Sequence, residues 1–447
     1  MATHFINEVA FDTEFKLTGP DGEVDVSHQA IKSLSIKDSM YNPFKTGLVQ
    51  FVDGFYVFES LYSYRGDGRD EFSVMMKPSD EKDITETIEE TFILFDESNV
   101  YSPANVDVRS KTFVLADKKS LPFNETIPYN RTFSGYCGEV LEELFDELLP
   151  DYKGTFEKTD LLYTAIPSIN WTYMDLLEDI LQKNYVAEGS TYIKCFLLWD
   201  RKESVYNFTK ISELFDKNKD NVIEAFSLGG DQGGLGGTGG FVYGKNPDVS
   251  STPAMEYDSD LLHFNISTPQ HGFMSIMNTH KWIINAYNRV LGSHEQGIIK
   301  LDDIKKNWEE LFVKPFKLQD GEVSGFISEN KKSKKRHVSY TMPYDLIICK
   351  RMVESEINNI LTFHNINCNF TKKGNPVRQS GKFFDVARAT AYVPQKGEEE
   401  FKFDDKALGR WLLTEVIHTY SNDNYATDIV GVKTYVHPES KPSDSAE

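Results

Sequence analysis

Gly234-Leu-Gly236-Gly-Thr-Gly239 spells G-x-G-x-x-G. Those glycines can cradle a dinucleotide pyrophosphate, provided a buried strand precedes them and a helix follows. Phe241-Val-Tyr-Gly-Lys-Asn-Pro247 follows instead, and Gly244 with Pro247 breaks the required helix. The match is read as an accident of glycine density, so no cofactor is expected. Asp216-Lys-Asn218-Lys-Asp220 imitates the start of a calcium loop. Such a loop also needs glycine at its sixth position and a bidentate Glu at its twelfth. Asn221 and Ser227 stand there, so a solvated turn is expected and no metal. The ten histidines form no H-E-x-x-H or C-x-x-H pair, and no G-x-S-x-G elbow is present. His418 is read as a packed, hydrogen-bonded structural histidine, since no motif supplies a nucleophile or an orienting group beside it. With 69 Asp and Glu, chance carboxylate pairs are certain and none can be singled out for glycoside chemistry. No catalytic residue is assigned, and the chain is not expected to be an enzyme.

Charge is more informative than catalytic motifs. Lys331-Lys-Ser-Lys-Lys-Arg-His337 is the one basic cluster. Without interleaved aromatics to stack bases it reads as a solvated loop or a contact for an acidic neighbour. Glu81, Asp83, Glu86, Glu89, Glu90, Asp96 and Glu97 form one acidic run, and Glu398, Glu399, Glu400, Asp404 and Asp405 another. On charge logic alone these serve solubility or repel a polyanion, and both remain open. The net charge of −21 disfavours non-specific attraction to DNA or anionic lipid.

A chain of 447 residues with 40% hydrophobic and 13% aromatic content suggests two to four domains with ample core. Cys137, Cys195, Cys349 and Cys368 are scattered without a C-x-x-C pair, which predicts reduced, partly buried thiols. The opening Met-Ala-Thr-His-Phe-Ile-Asn-Glu has neither a basic nor an apolar signal region, so no signal peptide is expected. No apolar run reaches membrane-spanning length. Assembly in the cytoplasm is the expected setting.

The elements change character along the chain. Residues 1–120 alternate like an antiparallel sheet or barrel, as in Ile31–Lys37 and Gly47–Asp53, with turns at Gly19–Gly22 and Gly66–Gly68. Val140, Leu141, Leu144, Phe145 and Leu148 then fall at helical spacing, ended by Pro150. A second helix is predicted over Tyr173–Gln182, with Thr172 as N-cap and Asp175 in a capping-box position. Thr191–Trp199 and Ser204–Thr209 read as a hairpin, completing a small α+β insert over 121–214. Residues 215–300 are read as a linker, Gly-rich at 229–240, leading into the start of a second barrel. Asp258–Ile266 reads as extended there, and Trp282–Tyr287 as a further strand. Residues 301–362 form a helical insert, with helices at 301–313 and 344–361. The barrel resumes over 363–437, and 438–447 is expected to be disordered. Strands 411–420 and 426–436 carry bulk on both faces, Val430, Val432 and Val436 opposite Ile429, Lys433 and Tyr435. A half-solvated sheet would be more polar on one side, so the second face is expected to meet another subunit or domain.

The order Gly374-Asn-Pro376, Gly381-Lys-Phe-Phe-Asp-Val386, Gly409-Arg-Trp-Leu-Leu-Thr-Glu-Val-Ile-His418 and Tyr425-Ala-Thr-Asp-Ile-Val-Gly-Val-Lys-Thr434 resembles the final barrel of the baseplate hub proteins of contractile-tailed phages. That family is related to the spike base of type VI secretion. Asn42–Asp53 followed by Gly66-Asp-Gly68 resembles its first barrel, and His418 falls where the family pattern also has a histidine. The resemblance implies a mainly β fold with α+β inserts: two antiparallel, tail-tube-like β-barrels, a small α+β domain and a helical insert. It further implies a structural virion protein, a homotrimer joining the hexameric tail tube to the trimeric central spike around a channel for DNA. Implied partners are the spike, a tube or tube-initiator protein, and tape-measure and wedge proteins. Specific nucleic-acid binding and membrane insertion are not expected. A tail-associated hydrolase and a receptor-binding or adhesion protein are the competing classes. The first would need an acid/base constellation, and the second repeats or export features.

Overall fold

The computed structural model describes residues 11–20, 22–54, 70–78, 86–101, 108–216 (save 129, 166, 168, 169 and 190), 222–228, 265–267, 366–388, 409–421 and 424–433, with 351, 352, 354, 355, 358 and 359. The chain is mainly β and its sheets are largely antiparallel. The N-terminal strands are β1 (Phe11–Gly19), β2 (Gly22–Asp25), β3 (Ile31–Ser39), β4 (Asn42–Gly54), β5 (Glu71–Pro78), β6 (Ile88–Tyr101) and β7 (Val108–Asp117). The middle segment holds β8 (Phe133–Tyr136), α1 (Cys137–Leu148), β9 (Lys153–Phe156), β10 (Leu162–Ala165), α2 (Tyr173–Lys183), β11 (Val186–Glu188), β12 (Thr191–Ile193), β13 (Cys195–Asp200), β14 (Val205–Lys210) and α3 (Ile211–Asp216). Last come β15 (Val222–Leu228), β16 (Asn265–Ser267), β17 (Ile366–Lys373), β18 (Phe383–Arg388), β19 (Gly409–Ser421) and β20 (Asn424–Lys433).

The first and last groups of strands are not separate sheets. β3 pairs with β19, placing Ile36 opposite His418 and Ser39 opposite Glu415. One 13-stranded sheet therefore runs β16-β17-β20-β19-β3-β4-β7-β6-β5-β1-β2, with β18 joined to β19 and β15 to β18. The strands of the two regions read as barrels therefore share one sheet. β15 and β18 run parallel, a departure from an all-antiparallel expectation, and the long stretch of chain between them supplies the crossover that a parallel pair needs. Neither β15 nor α3 was legible in the sequence, because short apolar runs such as Val222–Leu228 carry no decisive period.

Alternation sets the inner face of the sheet. In β4, Gly47, Val49 and Phe51 are buried while Thr46 and Leu48 are exposed. The inner residues build a core from Leu17, Leu34, Val49, Phe72, Phe92 and Leu115, with Phe51 stacked on Phe113 at 5.2 Å. Tyr420 and Tyr425 of the last strands enter the same core, Tyr420 lying 5.3 Å from Phe15.

The middle segment packs a second core. α1 buries Val140, Leu141, Leu144 and Phe145, and α2 buries Leu176, Leu177 and Ile180 in the same core, against β13. Met40 and Phe44 of the first strands join this core, as do Phe383, Leu412 and Val432 of the last. Leu412 of β19 and Val432 of β20 are thus packed against the chain's own insert. At these two residues the expected neighbour is the insert domain. The described helical residues of the predicted 344–361 helix also dock on this insert. Asn358 Nδ2 donates to Thr191 Oγ1 at 2.9 Å and to the Tyr192 carbonyl at 2.7 Å. The predicted elements at 282–287 and 301–313, the Gly-rich loop and the basic cluster lie outside the described residues.

α2 starts as its sequence predicts. Thr172 Oγ1 accepts from the Asp175 amide at 3.1 Å, and Asp175 Oδ2 accepts from the Thr172 amide at 2.8 Å. Thr172→Ala is expected to lower stability by about 1 kcal/mol, since it removes one side of this box. Chemical denaturation measures the change; an unaltered midpoint and slope would show that the cap adds nothing.

Candidate functional site

The segment of the C-terminal motif that has no regular structure, residues 374–382, holds the molecule together. Its residues are buried or half-buried throughout. The Gly374 amide donates to the Tyr425 carbonyl at 2.7 Å and the Gly381 amide to the Leu413 carbonyl at 2.8 Å, which ties the segment to β19 and β20. Ser380 Oγ donates to Asp38 Oδ1 of β3 at 2.7 Å. The Arg201 guanidinium, from the β13–β14 turn, donates to the Pro376 carbonyl, and the Arg201 amide donates to Gln379 Oε1 at 3.2 Å. Lys382 Nζ lies 3.2 Å from Asp200. Three remote stretches of sequence therefore meet on nine residues. Both motif glycines are needed here. A Cβ on Gly374 would collide with the Tyr425 ring, and Gly381 has φ +81°, a backbone conformation that disfavours side chains.

A cluster of buried charges lies alongside. Glu90 of β6 pairs with Lys45 of β4 and, at 3.0 Å, with Lys119; Lys119 also lies 3.4 Å from Asp117. Lys119 and Lys45 stand 4.5 and 5.3 Å from the centre of the Trp199 ring. Burial alone would push the Glu90 carboxyl up; Lys45, Lys119 and Arg201 more than offset this and hold it at about 2. Burial pushes Asp117 up against the pull of Lys119, and pushes Lys45 down against the pull of Glu90. Glu86 is raised by burial too, with Arg201 and Lys382 opposing. Acids and bases with opposed shifts in contact are the ingredients of proton transfer. Here their partners are each other, and Lys45, Glu90 and Asp117 are almost wholly buried, so the cluster acts as an internal tie between β4, β6 and the insert.

His418 completes the junction. It is 1% exposed. Its Nε2 lies 3.1 Å from the Arg378 carbonyl and its Nδ1 2.7 Å from the Tyr425 hydroxyl. A carbonyl only accepts, so Nε2 carries the hydrogen and Nδ1 accepts from Tyr425; this is the neutral imidazole. Burial, with Arg201, Arg378 and Lys45 nearby, lowers its pKa well below the usual value. Both nitrogens are engaged, so it has the packed structural role that its sequence context suggests.

The acidic run of residues 81–97 does not form a continuous outward wall. Glu90 is buried, Glu86 is half-buried, and Glu89 and Asp96 are exposed; Glu81, Asp83 and the run at 398–405 lie outside the described residues. Glu90 was misassigned by counting charge without register. In Ile88-Glu-Glu90-Thr-Phe92 it occupies the same face as two core residues. The same signal marks Asp38 beside Ile36 and Asp117 beside Leu115. Cys137, Cys195 and Cys368 are free and buried, and burial pushes the Cys137 thiol up to about 12. Among the described residues no three His, Cys, Asp or Glu side chains are grouped to hold a metal, and no helix is long and apolar enough to cross a membrane.

No protein-family model matches this sequence, and no curated protein matches it. Solved structures that it is similar to include phage tail and type VI secretion proteins. One is a tail protein from Neisseria meningitidis MC58, with 8% identity, TM-score 0.48, and coverage of 95% of this chain and 96% of that one. Another is the 43 kDa tail protein of prophage MuSo2 from Shewanella oneidensis, with 10% identity, TM-score 0.46 and coverage of 94% and 98%. A third is an Escherichia coli component of the type VI secretion system, itself similar to the bacteriophage T4 tail proteins gp27 and gp5. It shares 7% identity, with TM-score 0.38 and coverage of 92% and 76%.

Proposed function

We propose that this chain is a structural tail protein, the homotrimeric hub of a contractile-tail baseplate. In this reading it joins the hexameric tail tube to the trimeric spike and leaves a channel for DNA. One observation carries the reading. The residues that resemble the hub family, Gly374, Gly381, Trp411 and His418, are committed to internal hydrogen bonds and packing, as a load-transmitting scaffold requires, and present no reacting group. The fusion of N-terminal and C-terminal strands through β3 and β19 supports it further. Each subunit would then bring two β units to a ring, and three subunits six. Heterologous contacts that close by rotation give such a ring. Its partners would be the spike, the tube or its initiator, and tape-measure and wedge proteins, in a virion assembled in the host cytoplasm. The purified protein should show a mass three times the 51.1 kDa of one chain by light scattering, and three-subunit rings in negative stain. A monomer at micromolar concentration, even with the spike present, would refute the proposal.

A further inference from the structure

The outer face of the strands β19, β3, β4 and β7 is short of charge in a chain of which 26% is charged. Cross-strand register places Thr419, Ser35, Leu48 and Val114 in one row. Thr46 and Ala116 lie opposite each other in the next. Lys37 and Glu415 neutralise each other at 2.7 Å, and the exposed Asp96 stands at the β6 end of the Val114 row. Leu48 is 49% exposed, Val114 37%, and Phe95 71%. On β6 the residue opposite Val114 is the exposed Asp96, and Phe95 is the extra residue of the β-bulge just before it; a bulge re-aims the side chain it carries. Large apolar side chains grouped on a water-facing sheet mark a contact surface.

We propose that this face is where a second copy of the chain packs. The inference rests on the ring reading above and adds which surface closes the ring. The chemistry of the face selects the occupant. A nucleic acid or an anionic membrane would call for unpaired Lys and Arg here, and a basic partner would be drawn to the acidic surfaces elsewhere. A partner that is itself strongly acidic needs a neutral landing site, because two chains of −21 repel wherever carboxylates face each other. A second copy of this chain is such a partner.

Val114→Glu and the pair Leu48→Glu with Val114→Glu place carboxylates in the centre of the contact. Leu162→Glu, equally exposed but on the insert, serves as control. By light scattering over a concentration series, the control should keep the wild-type mass. The face variants should dissociate at concentrations at least about tenfold higher than wild type, with unchanged circular dichroism. Val114→Cys carrying a spin label gives a second readout that does not depend on a charged variant folding. Its spectrum should be immobilised in the assembly and mobile after dilution. Face variants that assemble like wild type, or a label that stays mobile in the assembly, overturn this inference and leave the ring reading standing. A wild-type protein that never assembles, even with the spike, overturns both.

Discussion

Glu90→Ala is expected to lower stability by about 3–5 kcal/mol, the loss typical when one member of a buried ion pair is removed. The alanine leaves two ammonium groups, Lys45 and Lys119, facing each other near Arg201 without their shared carboxylate. The desolvation of Lys45 then loses its ion-pair partner, while Lys119 keeps Asp117. The double variant Lys45→Met with Glu90→Leu removes one charge of each sign and fills the space with apolar atoms. It is expected to be distinctly milder than the single change, since well-packed hydrophobic groups can replace a buried pair at little loss. The pH dependence has a defined sign. Glu90 is held at about 2 in the fold, below its unfolded value of about 4.3. Its contribution is complete above pH 4.3 and disappears as pH falls toward 2. Equilibrium denaturation of the three proteins at pH 7 and pH 3 is the test. If the double variant is as unstable as the single one, the unpaired Lys45 ammonium is not the cause.

His418→Gln should reduce stability at pH 7 by about 1–3 kcal/mol, because Tyr425 and the Arg378 carbonyl lose well-placed buried partners. It should also flatten the response to acid. In the fold His418 is held neutral well below 6.5, whereas the unfolded chain takes up a proton near that value. Its stabilisation is therefore full above pH 6.5 and falls as the pH drops below it, by up to about 1.4 kcal/mol per unit. Glutamine does not titrate, so the gap between variant and wild type should narrow from pH 7 to pH 5. The other nine histidines are common to both proteins and cancel in the difference. Parallel stability curves over this range would show that His418 is not held neutral by its surroundings.

What each level of description determined follows from the range of the interactions involved. Local effects were legible in the amino-acid order. The period of Val140, Leu141, Leu144 and Phe145 gave α1, the Thr172 and Asp175 cap gave the start of α2, and alternation at Ile31–Lys37 and Gly47–Asp53 gave β3 and the middle of β4. His418 read as a structural residue because nothing around it in sequence could make it reactive. Register errors came from treating charge as composition. Glu90 is acidic in any tally, but its place between Ile88 and Phe92 turns it inward. Tertiary structure decided what depends on stretches remote in sequence. The pairing of β3 with β19 joins residues some 380 positions apart, which no periodicity records. The packing of Leu412 and Val432 against the insert placed a domain of the same chain at that end of the strands. The junction at 374–382 could not be seen as such in the sequence. Asp38, Arg201 and His418 are unremarkable separately, and only burial in one place makes each a required partner of the others.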